Sequence, residues 1–311
     1  MSQFDLLDVQ SVTLKENSST VKEGFIEVIG GKVWFKVVGS DKNAIPLLIL
    51  HGGPGSTHES FEPFEELKNE RPIIFYDQLG CGNSDRPEDK SLWTVERYVE
   101  EVSQVINALG LNEVHIFGNS WGSMLAIAYI LKYNQKVGSC SLSGPFLSSP
   151  LFIEDARYYV SKLPEKYRDI ILKCEEQGDS DNKEYKEAMD YFYRQHLRRL
   201  DTLPECVLRG KEKFGADVYN YMWGPSEFTT TGTLKDFSLV DRLHEIKTPV
   251  LLTVGRYDEV RPQTVEFYKS KIPNADMVII EDASHCTHNE QPEELLEIIR
   301  KFLDKVESNN G

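Results

Sequence analysis

From Phe25 onward, short and continuously apolar runs alternate with longer amphipathic stretches, and this alternation most narrows what the chain can fold into. The runs Leu47 to Leu50, Ile73 to Tyr76, Val114 to Phe117, Ser139 to Leu142, Val250 to Val254 and Met277 to Ile280 are bounded by Gly, Pro, Asp or Asn. Continuous hydrophobicity, without a polar residue at every second place, predicts strands buried on both faces, as in a parallel sheet. Between them, Thr94 to Leu109, Ser123 to Leu131, Thr264 to Ser270 and Pro292 to Val306 read as helices. The last opens on a first-turn proline followed by Glu293 and Glu294, which complement the positive end of a helix. The pattern predicts an α/β fold with a mostly parallel central sheet and helices on both faces. Ahead of it, Phe25 to Ile29 and Lys32 to Val38 flank Gly30-Gly31, the signal of a hairpin and an antiparallel edge.

The rhythm breaks over residues 145–240, where strand-like runs give way to helical, charged and aromatic sequence. Within Asn182 to Leu200, for example, Tyr185, Met189, Phe192, His196 and Leu200 recur at spacings of three and four. Because strand signals resume at Val250, the simplest organisation is a discontinuous sheet domain, residues 1–144 and 241–311, interrupted by a helical cap at 145–240. Only Ser308-Asn-Asn-Gly311 reads as disordered.

Composition limits the partners. With 35 basic and 50 acidic residues, the net charge of −15 repels nucleic acid and anionic lipid. Cys81, Cys140, Cys174, Cys206 and Cys286 are odd in number and include no C-x-x-C pair, which argues against a disulfide framework or a zinc knuckle. The acidic start and the lack of a run of about 18 apolar residues predict neither export signal nor membrane span, and a cytoplasmic location.

The chemistry concentrates at Gly118-Asn-Ser-Trp-Gly122, between the strand ending at Phe117 and the helix opening near Ser123. A sharp strand-to-helix turn needs small residues two before and two after a nucleophile, so that Ser120 projects above the sheet. A serine hydroxyl needs a histidine base and an acid to orient it, in the chain order Ser, acid, His on this architecture. His285 follows the strand ending at Ile280, and Asp258 follows the strand ending at Val254, both at carboxyl ends of parallel strands. His288 is the rival base, and Asp77, Asp282 and Glu259 are rival acids, although Asp77 precedes the serine. His51 and His115 are read as packing and loop residues. An oxyanion hole needs two backbone N–H groups. One should be Trp121, after the nucleophile, and the other Gly53, in the loop His51-Gly-Gly-Pro-Gly55.

Taken together, His51-Gly-Gly-Pro-Gly55, Phe75-Tyr-Asp-Gln-Leu-Gly-Cys-Gly-Asn-Ser-Asp-Arg-Pro87, Gly118-Asn-Ser-Trp-Gly122, Gly224-Pro-Ser-Glu-Phe228, Gly255-Arg-Tyr-Asp-Glu259 and Ser284-His285 resemble the proline iminopeptidase (prolyl aminopeptidase) family of α/β-hydrolases. The motifs span nearly the whole chain. The resemblance implies a serine aminopeptidase that removes an N-terminal residue, preferentially proline, from short peptides with a free N-terminus through an acyl-enzyme, without metal or cofactor. It also implies that Glu227 and Glu259 bind the substrate's α-amino group. Phe146, Tyr219, Tyr221, Trp223 and Phe228 are aromatic candidates for the proline slot. Hydrolysis of amino-acid amides or esters by the same triad and clamp is the alternative, and a hydrolase-like binding protein is the non-enzymatic one. The sequence sets no oligomeric state.

Overall fold

The computed structural model describes residues 12–18, 21–39, 44–133 and 136–310. Among them lies a nine-stranded sheet: β1 (Val12–Ser18), β2 (Val21–Val28), β3 (Gly31–Val38), β4 (Leu47–Leu50), β5 (Ile73–Tyr76), β6 (Val114–Asn119), β7 (Val137–Ser143), β8 (Val250–Gly255) and β9 (Ala275–Ile280). Their spatial order is β1-β2-β3-β5-β4-β6-β7-β8-β9. Pairing is antiparallel from β1 to β5 and parallel from β5 through β9. The helices are α1 (Val95–Ala108), α2 (Trp121–Tyr133), α3 (Ser149–Lys162), α4 (Glu165–Gln177), α5 (Lys183–His196), α6 (Glu205–Glu212), α7 (Ala216–Met222), α8 (Pro262–Lys271), α9 (Thr287–Glu290) and α10 (Pro292–Asn310).

Why the central strands read as unbroken apolar runs is visible in their packing. Leu48 and Leu50 of β4 join Ile74 and Tyr76 of β5 in a core with α1, α2 and α8, while Leu47, Ile49, Ile73 and Phe75 face Phe61, Phe64 and α10 on the other side. Successive side chains point to opposite faces, and both faces are covered, so every position is apolar. β9 departs from this reading: of its residues only Ile280 is buried, because it pairs with β8 alone at the sheet's edge.

Local chemistry sets several element ends. The Thr94 side chain accepts the Arg97 N–H at 3.2 Å and caps α1. The β2–β3 hairpin turns at Ile29-Gly30, one residue earlier than the Gly-Gly pair suggests. Val28 pairs with Gly31, and Gly30, at φ 99°, supplies the left-handed residue of the two-residue turn. At the other end, α10 continues through Ser308 to Asn310 rather than fraying, since neither Gly nor Pro interrupts it before Gly311, which lies outside the described residues.

Between β7 and β8 the chain forms α3 to α7 and no strand, only isolated bridges. Ala156, Val160, Leu163, Ile171, Cys174, Tyr185, Ala188, Phe192 and Phe228 make a core of their own there. Val218, Met222 and Trp223 instead join the core beneath the sheet's α1 and α2 face, which ties this helical segment to the strands' carboxyl ends. No helix among the described residues is long and apolar enough to cross a membrane.

Candidate active site

The turn from β6 to α2 consists of one residue, Ser120, held at φ 53°. A left-handed non-glycine costs about 1–3 kcal/mol and persists only where its surroundings enforce it. They do so here by close approach: a Cβ on Gly118 would lie 2.4 Å from the Gly122 carbonyl oxygen, and one on Gly122 would lie 2.0 Å from that of Leu50. The Ser120 N–H donates to the Ser143 carbonyl at 3.1 Å, and its own carbonyl accepts the Ser123 N–H at 2.8 Å.

Against this turn lies the loop after β4, close enough that a Cβ on Gly52 would meet Ser120 Cβ at 3.2 Å. His51 organises that loop. Its Nε2 accepts the Gln78 N–H at 3.0 Å, so Nδ1 carries the proton and donates to the Gly52 carbonyl at 2.9 Å. Burial keeps its pKa below the ordinary histidine value, so the ring is neutral. Gln78 completes the link: its amide N–H donates to the His51 carbonyl at 3.0 Å and its Oε1 accepts Trp121 Nε1–H at 2.8 Å. The loop that carries Gly53 is thereby fixed relative to Trp121. Neither the Gly53 nor the Trp121 backbone N–H donates to another group among the described residues.

The loops after β8 and β9 bring Asp258 and His285 together. Asp258 Oδ1 accepts from His285 Nδ1 at 2.8 Å and from the Val260 N–H at 2.9 Å. The His285 loop is held by Ser284, whose N–H and hydroxyl donate to Glu290 at 2.9 and 2.6 Å, and by the His285 N–H donating to the His196 carbonyl at 3.1 Å. Gly144, at φ 53°, makes room for the pair, since a Cβ there would lie 2.6 Å from His285 Nδ1.

The rival residues are engaged elsewhere. His288 stacks on Phe61 at 4.2 Å, and burial lowers its pKa well below the ordinary value. Asp77 accepts from His58 Nδ1 at 2.9 Å, and Asp282 is exposed. His115 lies between Ser139 Oγ at 2.7 Å and Glu307 Oε1 at 3.1 Å, a packing role.

Two further carboxylates face this histidine. Glu259 is 0% exposed, its Oε1 lies 3.5 Å from His285 Nε2, and neither of its oxygens has a hydrogen-bond partner among the described residues. Burial and the neighbouring charge of Glu227 raise its pKa well above the carboxylate range. Glu227 Oε1 accepts the Tyr219 hydroxyl at 2.8 Å, and the Glu227 N–H donates to the Tyr193 hydroxyl at 3.2 Å. Burial raises the pKa of Glu227 as well. Burial by itself would lower His285, but the negative charges of Asp258 and Glu259 outweigh it and raise the imidazole to about 10.

A cavity of about 510 Å³ opens between the strand ends and the helical segment, lined in part by Gly53, Ser120, Glu227 and His285. Asp258, Glu259 and Trp121 are buried and do not line it. Of the five aromatics proposed for the proline slot, only Tyr219 reaches it, joined by Tyr193 and Phe214. Phe146 and Trp223 pack edge-on against Phe152, Phe228 sits between Tyr185 and Phe192, and Tyr221 packs on Trp93. Gly144, Gln78 and Tyr193 were not legible as site residues. Gln78 lies inside the Tyr-Asp-Gln-Leu-Gly block, but its pattern names no chemistry, and the other two come from segments without a motif.

A strand-serine-helix turn beneath two loops that join a histidine to an aspartate, on a mostly parallel sheet, defines an α/β-hydrolase, and the family model described as alpha/beta hydrolase fold matches residues 45–292. Among curated relatives, the proline iminopeptidase of Heyndrickxia coagulans is 44% identical over 91% of this chain and 99% of its own, and that of Saccharolobus solfataricus 39% identical over 96% and 97%. The crystal structure of a proline iminopeptidase from Mycobacterium smegmatis superposes with a TM-score of 0.86 at 32% identity, covering 93% of this chain and 100% of that one. The chain belongs to the proline iminopeptidase family of α/β-hydrolases.

Proposed function

We propose that this protein is a serine aminopeptidase that releases the N-terminal residue, preferentially proline, from short peptides. Ser120 attacks the first carbonyl carbon while His285 takes its proton, and Asp258 holds the imidazole with Nε2 free to do so. The Gly53 and Trp121 N–H groups, which have no other acceptor among the described residues, receive the developing oxyanion. His285 then protonates the departing amine, and water, activated by the same ring, hydrolyses the acyl-enzyme.

The observation that carries this reading is the pair Glu227 and Glu259, buried carboxylates beside His285 of which Glu259 lacks any hydrogen-bond partner among the described residues. A buried carboxyl group without a partner is costly, the more so when ionised, and a protein retains it where a cationic ligand supplies both the hydrogen bonds and the counter-charge. A protonated α-amine held there leaves only the first peptide bond beside Ser120, which explains release of single residues. Residues 145–240 act as a cap closing the cavity over the core of residues 1–144 and 241–311. The reading further supposes a cytoplasmic enzyme, indifferent to nucleic acid and membrane; all five cysteines are free, as a reducing compartment keeps them.

The deciding assay is a panel of aminoacyl arylamides (Pro, Ala, Leu, Phe), each with a free and an acetylated amine. Cleavage led by the free prolyl substrate, lost on acetylation and lowered by about 10⁴-fold or more in Ser120→Ala, is the expected outcome. Equal cleavage of acetylated substrates, or normal turnover in Ser120→Ala, would reject it.

A further inference from the structure

We propose that Glu259 holds the free enzyme at rest by sharing His285 with Asp258, and that the substrate's ammonium, docking against Glu227 and Glu259, releases His285 to act as base. This gate rests on the aminopeptidase reading above and adds that the amine switches on the chemistry as well as anchoring the substrate.

The geometry is a histidine between two carboxylates on opposite ring nitrogens. Nδ1 meets Asp258 Oδ1 at 2.8 Å, and Nε2 meets Glu259 Oε1 at 3.5 Å. Nε2 is the nitrogen that must accept the Ser120 proton, because Nδ1 is committed to Asp258. Glu259 therefore competes for the one atom that must be bare for catalysis: burial favours a proton on its carboxyl and the imidazole opposes this, so the proton between them lies either on Nε2 or on Oε1 facing it.

The other groups around the ring do not offset that competition. From the segment between β7 and β8 come Glu227, Tyr219, Tyr193 and the His196 carbonyl, and from the ring's own loop come Cys286 and His288. Burial raises the Tyr193 and Tyr219 hydroxyls and the Cys286 thiol, and lowers His288, so all four are uncharged. Arg198, the neighbouring cation, donates to Asn289 Oδ1 at 3.2 Å and to Cys286 Sγ at 3.1 Å. Asp258, Glu259 and Glu227 thus face one imidazole, and the cation they favour in the free enzyme is that ring's own protonated form.

An ammonium is a second cation for the same carboxylates. By linkage, if a protonated His285 weakens amine binding by some factor, amine binding weakens the proton's hold by the same factor. The proton leaves Nε2 for bulk water, and each pKa unit so removed gives about tenfold more neutral imidazole at pH 7. An acetylated peptide that reached Ser120 would find no base ready, so discrimination falls on the chemical step as well as on binding.

Diisopropyl fluorophosphate, which reacts with an activated serine and contains no amine, separates the two effects. Pyrrolidinium, a cyclic secondary ammonium without a carbonyl, occupies the clamp without being a substrate. Saturating pyrrolidinium is expected to speed phosphorylation of wild-type Ser120 about tenfold at pH 7 and to move the midpoint of its pH–rate profile down by about one unit. Glu259→Gln is expected to label at the stimulated rate without pyrrolidinium and to ignore its addition, while losing kcat/KM on prolyl arylamide. Wild-type labelling that is unchanged or slowed by pyrrolidinium, or an unmoved midpoint, overturns the gate, as does Glu259→Gln labelling no faster than wild type. The wild-type measurements stand whether or not the variant folds. Failure of the aminopeptidase reading would show separately, as equal cleavage of free and acetylated prolyl arylamides.

Discussion

Gly144 is where one added atom would displace His285. Its φ of 53° already disfavours a side chain, and a Cβ would lie 2.6 Å from His285 Nδ1 and 3.1 Å from Asp258 Oδ2. The only relief is movement of the imidazole or of the aspartate, both of which the proposed mechanism needs in place. Gly144→Ala is expected to lower kcat by about 10²-fold, the scale of a misplaced catalytic group. KM for prolyl arylamide should change little, because the amine clamp lies on the other side of the ring. Steady-state kinetics on the folded variant checks this, and an unchanged kcat would show that the His285 loop yields freely. Ser120 presents the converse case, a side chain kept in a left-handed turn because Gly118 and Gly122 leave the backbone no other course.

At the scale of elements, α10 secures the sheet face opposite α1 and α2. Leu295, Leu296, Ile299, Phe302 and Leu303 are buried against Leu47, Ile49, Ile73 and Phe75, the residues of β4 and β5 that point away from α1. Ile299 is 0% exposed at the middle of that contact. Truncating it to alanine should cost about 2–5 kcal/mol, read as a lower urea midpoint at constant slope. Activity per folded molecule is expected to stay near wild type, since α10 does not line the cavity. The loop joining β9 to α10 is another matter. It carries His285 and is pinned through Ser284 to Glu290 of α9, so α9 sets the position of the ring.

For the whole molecule, a net charge of −15 surrounds a cavity whose proposed ligand enters as a cation. A field of that sign steers free-amine peptides inward and is screened once the Debye length shrinks to a few ångströms. Raising ionic strength from about 0.02 M to about 0.5 M is expected to lower kcat/KM for free prolyl arylamide by about two- to fivefold, through KM. Residual hydrolysis of the acetylated compound should not respond. A salt-insensitive kcat/KM would mean that attraction acts only inside the cavity.

Much of this protein was settled by short-range constraints. Two covered faces demand unbroken apolar strands, which made β4, β5, β6 and β8 readable with nearly their observed limits. A one-residue turn demands glycines on either side, which marked Ser120, and acids and histidines just past strand ends marked Asp258 and His285. Tertiary structure alone decided what distant segments bring to one another. Gly144 matters only because β7 ends beneath the His285 loop, Gln78 only because it spans from His51 to Trp121, and β9 is half exposed only because no strand follows it in the sheet. The choice of Tyr219 over Phe146, Trp223 and Phe228 as a cavity residue is of the same kind. In sequence all four are aromatics of one helical segment, and which of them faces the cavity depends on how that segment docks on the sheet.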